Sequence, residues 1–140
     1  MALKMDAEAL HAFLQSDFPQ VGDLFTVEAV EEMAIRVRCH VKERHLRPGG
    51  TVSGPTMFSL ADVSVYLAVL AMIGPQGLAV TTSCSMDFMR KPVAGRDLIG
   101  ECRLLKLGRV LAVGDVLIRS DGSDDVVARA SMTYSIPPAR

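Results

Sequence analysis

An aspartate interrupts the most apolar part of this chain. Asp62 stands in the run Ser53-Gly-Pro-Thr-Met-Phe-Ser-Leu-Ala-Asp62, and from Val63 to Met86 no charged residue follows it. A carboxylate surrounded by aliphatic side chains is costly to bury unless something pairs with it. It also lies eight residues past Gly54, too deep to cap a helix that begins there. An acid held in such surroundings is a candidate for a catalytic role. A purely structural hydrogen-bonding acid is the alternative. Gly54 is the second candidate: a helix N-terminus presents free N–H groups at a positive dipole end, and an amide with no side chain in front of it can meet an oxygen on which negative charge develops. A plain turn glycine is the alternative there.

The elements that must position these groups follow from periodicity. Ala7, Leu10, Phe13 and Leu14 have helical spacing, which predicts a short helix at about residues 6–15, ended by Pro19 and Gly22. Met33, Ile35, Val37, Cys39 and Val41 alternate with Arg36, Arg38, His40 and Lys42, the pattern of a half-buried strand. The preceding run Leu24 to Val30 pairs with it through Glu31-Glu32. After the loop from His45 to Val52, Ser53-Gly54-Pro55 opens a long helix over about residues 55–73, and Gly74-Pro75 closes it. Its residues are apolar on nearly every side, so it is read as buried. Val80 to Arg90, Leu98 to Leu107, Val110 to Arg119 and Val126 to Ile136 read as strands, and their short connections predict a four-stranded antiparallel meander.

Composition limits the class. The chain has 140 residues, 49% hydrophobic and 22% charged, with a formal net charge of −1. That fits one domain spanning residues 1–140 and excludes disorder. Near-neutrality without a basic tract argues against nucleic acid as a partner. Val63 to Ile73 covers about half of the roughly 20 residues that a membrane span needs, so no membrane partner is expected. The N-terminus, MALKMDAEAL, has acidic residues and no continuous apolar core, which makes the cytoplasm the expected location. Cys39, Cys84 and Cys102 have neither paired nor metal-ligand spacing; they are expected to be reduced, buried small hydrophobes, with no metal site. Burying a helix that is apolar all round in so small a domain requires a curved sheet wrapped around it and a partner over what remains. The expected class is α+β, an antiparallel sheet around a long central helix, which describes the hotdog fold.

Three further segments carry a family resemblance: Thr81-Thr-Ser-Cys-Ser-Met-Asp-Phe-Met-Arg90, Gly108-Arg109 and Ala130-Ser-Met-Thr-Tyr-Ser-Ile136. Together with His45 to Leu70 they resemble the hotdog acyl-CoA thioesterases of the phenylacetate-degradation (PaaI) type. The resemblance implies hydrolysis of an acyl-CoA thioester, with no cofactor besides the coenzyme A of the substrate. It makes Asp62 the general base or nucleophile, Gly54 the oxyanion donor and Thr81 a hydroxyl that orients water, with Thr82 or Ser83 serving if the register slips. Arg90, Lys91, Gly108 and Arg109 match positions where the family contacts coenzyme A phosphates and adenine. Solvated charges at strand ends are the alternative for each cation. Tyr66, one helical turn after Asp62, is placed to donate to that carboxylate or to line an acyl pocket. Met57, Phe58 and Met89 fit a core better than a pocket, with Met57 retained as a pocket candidate.

The chain also departs from the family pattern. Ser53 stands where the family has His, Pro55 where it has a second Gly, and Arg47 where its loop often has Asn. At 1.5 Å per residue, Gly54 and Asp62 lie about 12 Å apart along one helix, too far to act on a single carbonyl. A working site would therefore combine Gly54 of one subunit with Asp62 of another, in a dimer or dimer of dimers. Two other readings stay open: a hotdog dehydratase or hydratase, for which Ser53 supplies no imidazole, and a non-catalytic acyl-CoA binding or assembly protein.

Overall fold

The computed structural model describes residues 2–138, and local signals account for each element. Helix α1 (Ala7–Asp17) starts at Asp6, whose carboxylate accepts the Ala9 N–H at 2.9 Å, and it buries Leu10, Phe13 and Leu14. Strands β1 (Phe25–Glu31) and β2 (Ala34–Cys39) form an antiparallel hairpin. Its turn falls on Glu32 and Met33, one residue later than the sequence suggests. Met33 adopts φ 62 and so leaves the strand in which the alternation placed it. Helix α2 (Gly54–Ile73) is capped by Ser53, whose hydroxyl accepts the Thr56 N–H at 3.3 Å, and ends at Gly74, which has φ 97 and donates to Leu70 O at 2.8 Å.

The remaining strands are β3 (Val80–Phe88), β4 (Leu98–Leu107), β5 (Leu111–Ser120) and β6 (Val126–Ser135), and the sheet order is β1-β2-β4-β5-β6-β3. This corrects the expected meander. Strand β3 pairs with β6 and not with β4, because β4 is already flanked by β2 and β5. The segment containing Pro92 and Gly95 is therefore a crossover between the edge and the middle of the sheet. The result is the hotdog arrangement, six antiparallel strands with α2 on the inner face.

Two glycines let α2 lie close to the sheet. A Cβ on Gly100 in β4 would stand 3.0 Å from Ser64 Oγ and 3.1 Å from Leu60 Cγ; one on Gly114 in β5 would stand 3.3 Å from Val65 Cγ2. Leu60, Leu67, Leu70, Val65 and Val69 are fully enclosed there with Val37, Leu98, Ile118 and Met132. By length and composition α2 would suffice to cross a membrane, with mean hydropathy 1.9, but 78% of that stretch is buried inside the fold.

The two edges of the sheet differ. On β1, the Val27 N–H is taken by His11 Nε2 of α1 at 2.8 Å. Beside it Arg38 bonds Glu28 at 2.7 Å, Asp97 at 3.1 Å and Asp121 at 2.8 Å, tying β1 and β2 to the segments that flank β4 and follow β5. Strand β3, by contrast, is exposed along most of its length. Cys84 lies on it and is exposed, which corrects the expectation that all three cysteines are buried; Cys39 and Cys102 are. Leu78, Val80, Phe88 and Met89, together with Phe58 of α2, form an exposed apolar strip along this side.

The close approach at Gly100 gives a stability test. Gly100→Val must displace Leu60 and a Ser64 hydroxyl already bonded to Leu60 O at 2.7 Å. Overpacking of this kind is expected to destabilise the fold by about 1–3 kcal/mol in denaturant melts, and an unchanged midpoint would contradict the close packing described here.

Candidate active site

Asp62 lies on the side of α2 that the sheet leaves uncovered, together with Pro55, Phe58 and Ser59. It is partly buried, and two strand hydroxyls reach it. Thr81 Oγ1 donates to Asp62 Oδ1 at 2.5 Å, and the Tyr134 hydroxyl donates to the same oxygen at 2.6 Å and lies 3.0 Å from the Asp62 backbone carbonyl. A β-bulge between Thr81 and Ser83 turns Thr81 inward opposite Tyr134, whereas Thr82 donates to Thr133 O at 3.3 Å. Thr81, and not Thr82 or Ser83, is thus the hydroxyl at the acid. A cavity of about 440 Å³ opens on this group, with Phe18, Val63, Tyr66, Gly77 and Val80 in its walls.

Tyr66 lines that cavity, but its hydroxyl donates to Gly77 O at 3.2 Å and not to the carboxylate, correcting one of its two expected roles. Its ring packs among Phe13, Phe18 and Tyr134, with centroids 6.2–6.4 Å apart. The sequence reading gave Tyr134 no role. The available signal was its parity with Ala128, Ala130 and Met132 on β6, which points a phenol inward, where it must find a partner. Burial, followed by the Asp62 charge and hydrogen bond, pushes the Tyr134 phenol well above the usual tyrosine range, so it stays a donor. Cys84 is near enough that the Asp62 charge adds to burial in raising its thiol pKa. A thiol held protonated in this way is a poor nucleophile.

Gly54 is at the other end of the uncovered strip. Pro55 has no amide proton, and Thr56 N–H is taken by the Ser53 hydroxyl, which also lies 2.8 Å from Thr56 Oγ1. Among the described residues nothing accepts a hydrogen bond from Gly54 N–H. The cap thus occupies the Ser53 hydroxyl and leaves one amide open. The fold itself does not require glycine here, since a Cβ would meet only the Phe88 ring, at 3.5 Å. A second cavity, of about 420 Å³, gathers Gly54 with Arg47, Met57, Met89, Arg90 and Lys91. Arg90 is exposed and 3.7 Å from Asp125. Met57 is a core residue that also lines this cleft; Phe58 and Met89, read as better suited to the core, are exposed.

Because Gly54 neighbours Phe88 and Asp62 bonds Thr81, α2 runs antiparallel to β3, with one candidate group near each end of the strand. Gly108 and Arg109 lie on the β4–β5 turn. The register Leu111–Ser135–Val80 puts that turn at the Asp62 end, away from Arg90 and Lys91. One chain therefore does not bring all the expected residues together. It presents them in two separate clusters. Among the described residues no group of three His, Cys, Asp or Glu side chains stands where it could hold a metal ion.

A hotdog domain with an acid on its central helix and a free amide at that helix's start defines a class of protein. Residues 49–127, from the loop before α2 into β6, match the sequence profile of the thioesterase superfamily. The chain belongs to this family and is a thioester hydrolase. It is similar to a Silicibacter sp. TM1040 protein described as a putative thioesterase, with 59% identity over 99% of this chain and 96% of that one, and a TM-score of 0.92. The phenylacetic acid degradation protein PaaI of Thermus thermophilus, in a variant form, shares 28% identity over 85% of this chain and 99% of that one, with a TM-score of 0.72. A Streptococcus mutans UA159 protein whose structure holds acetyl CoA shares 25% identity over 83% of this chain and 90% of that one, also with a TM-score of 0.72.

The loop that delivers Gly54 depends on His45, which is buried. Its Nδ1 accepts the Lys42 N–H at 2.8 Å, which puts the ring proton of the neutral form on Nε2, and its carbonyl accepts the Ser53 N–H at 2.8 Å. Burial, followed by the nearby charges of Arg44 and Lys42, holds the ring below the usual histidine pKa of 6.5. The folded chain therefore binds fewer protons than the unfolded chain just below that value, and stability falls as pH drops through it. Melting temperature is expected to decrease between pH 7.5 and pH 5.5. His45→Asn, which retains an acceptor without a titrating ring, should flatten that dependence; equal slopes in the two proteins would refute the assignment.

Proposed function

We propose that this protein hydrolyses an acyl-CoA thioester to a free acid and coenzyme A, with Asp62 as general base or nucleophile and the Gly54 amide as oxyanion donor. The reaction would need no cofactor beyond the coenzyme A of the substrate. The observation that carries this reading is the separation of a hydrogen-bonded carboxylate and an open helix-start amide to the two ends of one bare edge strand. Two copies joined edge to edge through antiparallel β3 strands would bring the Thr81 end of one against the Phe88 end of the other. Asp62 and Thr81 of one subunit would then face Gly54 of its partner across one substrate.

The charges fit the same assembly. Arg47, Arg90 and Lys91 border the Gly54 cleft, and Arg109 of the subunit bearing Asp62 would approach from the opposite side. Such cations suit the phosphates of coenzyme A. The acetyl CoA held by the Streptococcus mutans protein supports this ligand class. As the carbonyl carbon is attacked, negative charge passes to its oxygen, and a fixed N–H there stabilises the developing anion without reorganising. Dehydration is less well served: no histidine lines the Asp62 cavity.

A panel of acyl-CoAs assayed for released thiol tests the reading. Asp62→Asn is expected to lower kcat by about 10²–10⁴-fold while leaving the fold intact; an active variant would refute the role of Asp62. Acyl-CoA binding without turnover by the unaltered protein would favour a binding module. Mixing Asp62→Asn subunits with Gly54→Val subunits, each inactive alone, should restore about a quarter of full activity, because half of the random pairs carry one intact site. No recovery, with subunit exchange demonstrated, would rule out the shared site.

A further inference from the structure

We infer that Tyr134 is a positioning residue: with Thr81 it holds Asp62 Oδ1 and leaves Oδ2 as the oxygen that acts on the substrate. The inference rests on the reading of Asp62 as the reacting acid and adds which of its two oxygens works and what fixes it.

The two oxygens of Asp62 have different surroundings. Oδ1 accepts from both Thr81 at 2.5 Å and Tyr134 at 2.6 Å. A carboxylate oxygen has about two lone-pair sites, so two donors saturate it. Among the described residues no donor reaches Oδ2, and no buried side-chain nitrogen or oxygen is without a partner. Oδ2 is therefore not sealed in the protein; it opens toward the cavity that Asp62 helps to line. An oxygen with free lone pairs, facing a site large enough for an acyl group, is the one able to take a proton from water or attack a carbonyl carbon.

Tyr134 is suited to fixing that orientation. It is 3% exposed, and its ring packs against Tyr66 at a centroid distance of 6.2 Å. Its hydroxyl touches the backbone carbonyl of Asp62 as well as the side chain, so the carboxylate is located relative to its own helix. The donor comes from a central-sheet neighbour, β6, and Thr81 comes from the adjoining edge strand, so the carboxyl plane is held by two strands at once. Burial and the Asp62 charge keep the phenol protonated, so the restraint persists over the working pH range.

Tyr134→Phe removes the hydroxyl and retains the ring. In acyl-CoA hydrolysis it is expected to lower kcat by roughly tenfold or more while KM changes by less than about twofold, the pattern for loss of alignment rather than loss of binding. Thr81→Val should show the same split, a lower kcat with little change in KM, and it tests the same arrangement should Tyr134→Phe fail to fold. An unchanged kcat in a folded Tyr134→Phe protein would overturn the inference, as would a rise in KM alone, which would make Tyr134 a substrate contact. Asp62→Asn separates the two levels. If that variant is active, the underlying reading fails; if it is inactive and Tyr134→Phe behaves like the unaltered protein, only the inference fails.

Discussion

The structure depends on how a nearly uniformly apolar helix with one carboxylate is buried. Alternating strand residues can enclose only the part of α2 that faces the sheet. Gly100 and Gly114 bring Leu60, Ser64 and Val65 down onto β4 and β5. The opposite side, through Pro55, Phe58, Ser59 and Asp62, is left for something other than the sheet's hydrophobic floor. The acid belongs on that side, where it can remain partly open while strand hydroxyls supply the hydrogen bonds that a buried charge requires. Packing and chemistry are thus two results of one rotational setting of the helix.

The same helix separates the two candidate groups. Its N-terminus offers an amide that the cap and the proline leave open, and two turns further on it offers the acid. No bending of a regular helix brings those groups to one atom. The bare edge of β3, parallel to this axis, provides a surface along which a second copy would restore the missing half at each end. The basic side chains follow the same division, with Arg47, Arg90 and Lys91 near the amide and Arg109 near the acid.

Much of this was legible in the residues. Helical and alternating periods located both α-helices and all six strands to within a few positions, and the isolation of Asp62 marked it without any geometry. What escaped depended on long-range pairing. Nothing local indicates that β3 crosses to β6, since that follows from β2 already occupying the free side of β4. Counting alternation back from Cys84 points Thr82 inward; the bulge puts Thr81 there instead. Tyr66 sat one turn from the acid and looked like its partner, yet Gly77 takes its hydroxyl while Tyr134, 72 positions from Asp62 in sequence, reaches the carboxylate. Cys84 was expected to be buried because its spacing suggests neither a disulfide nor a metal site, but it lies on an edge strand that is exposed along most of its length.

The unequal edges of the sheet bear on growth as well as on catalysis. An exposed strand can recruit further strands without limit if both sides of a sheet are available, which is how fibres begin. Here His11 occupies a β1 amide that a foreign strand would need, and Arg38 binds the carboxylates around it. Only β3 is open. A copy that added there by two-fold symmetry would use the β3 edge of both subunits and leave β1, with its histidine-held amide, at each end of the joined sheet. In such a pair a histidine remote from the candidate chemistry would work against further strand addition, favouring a closed assembly of a small, very apolar chain over an open-ended polymer.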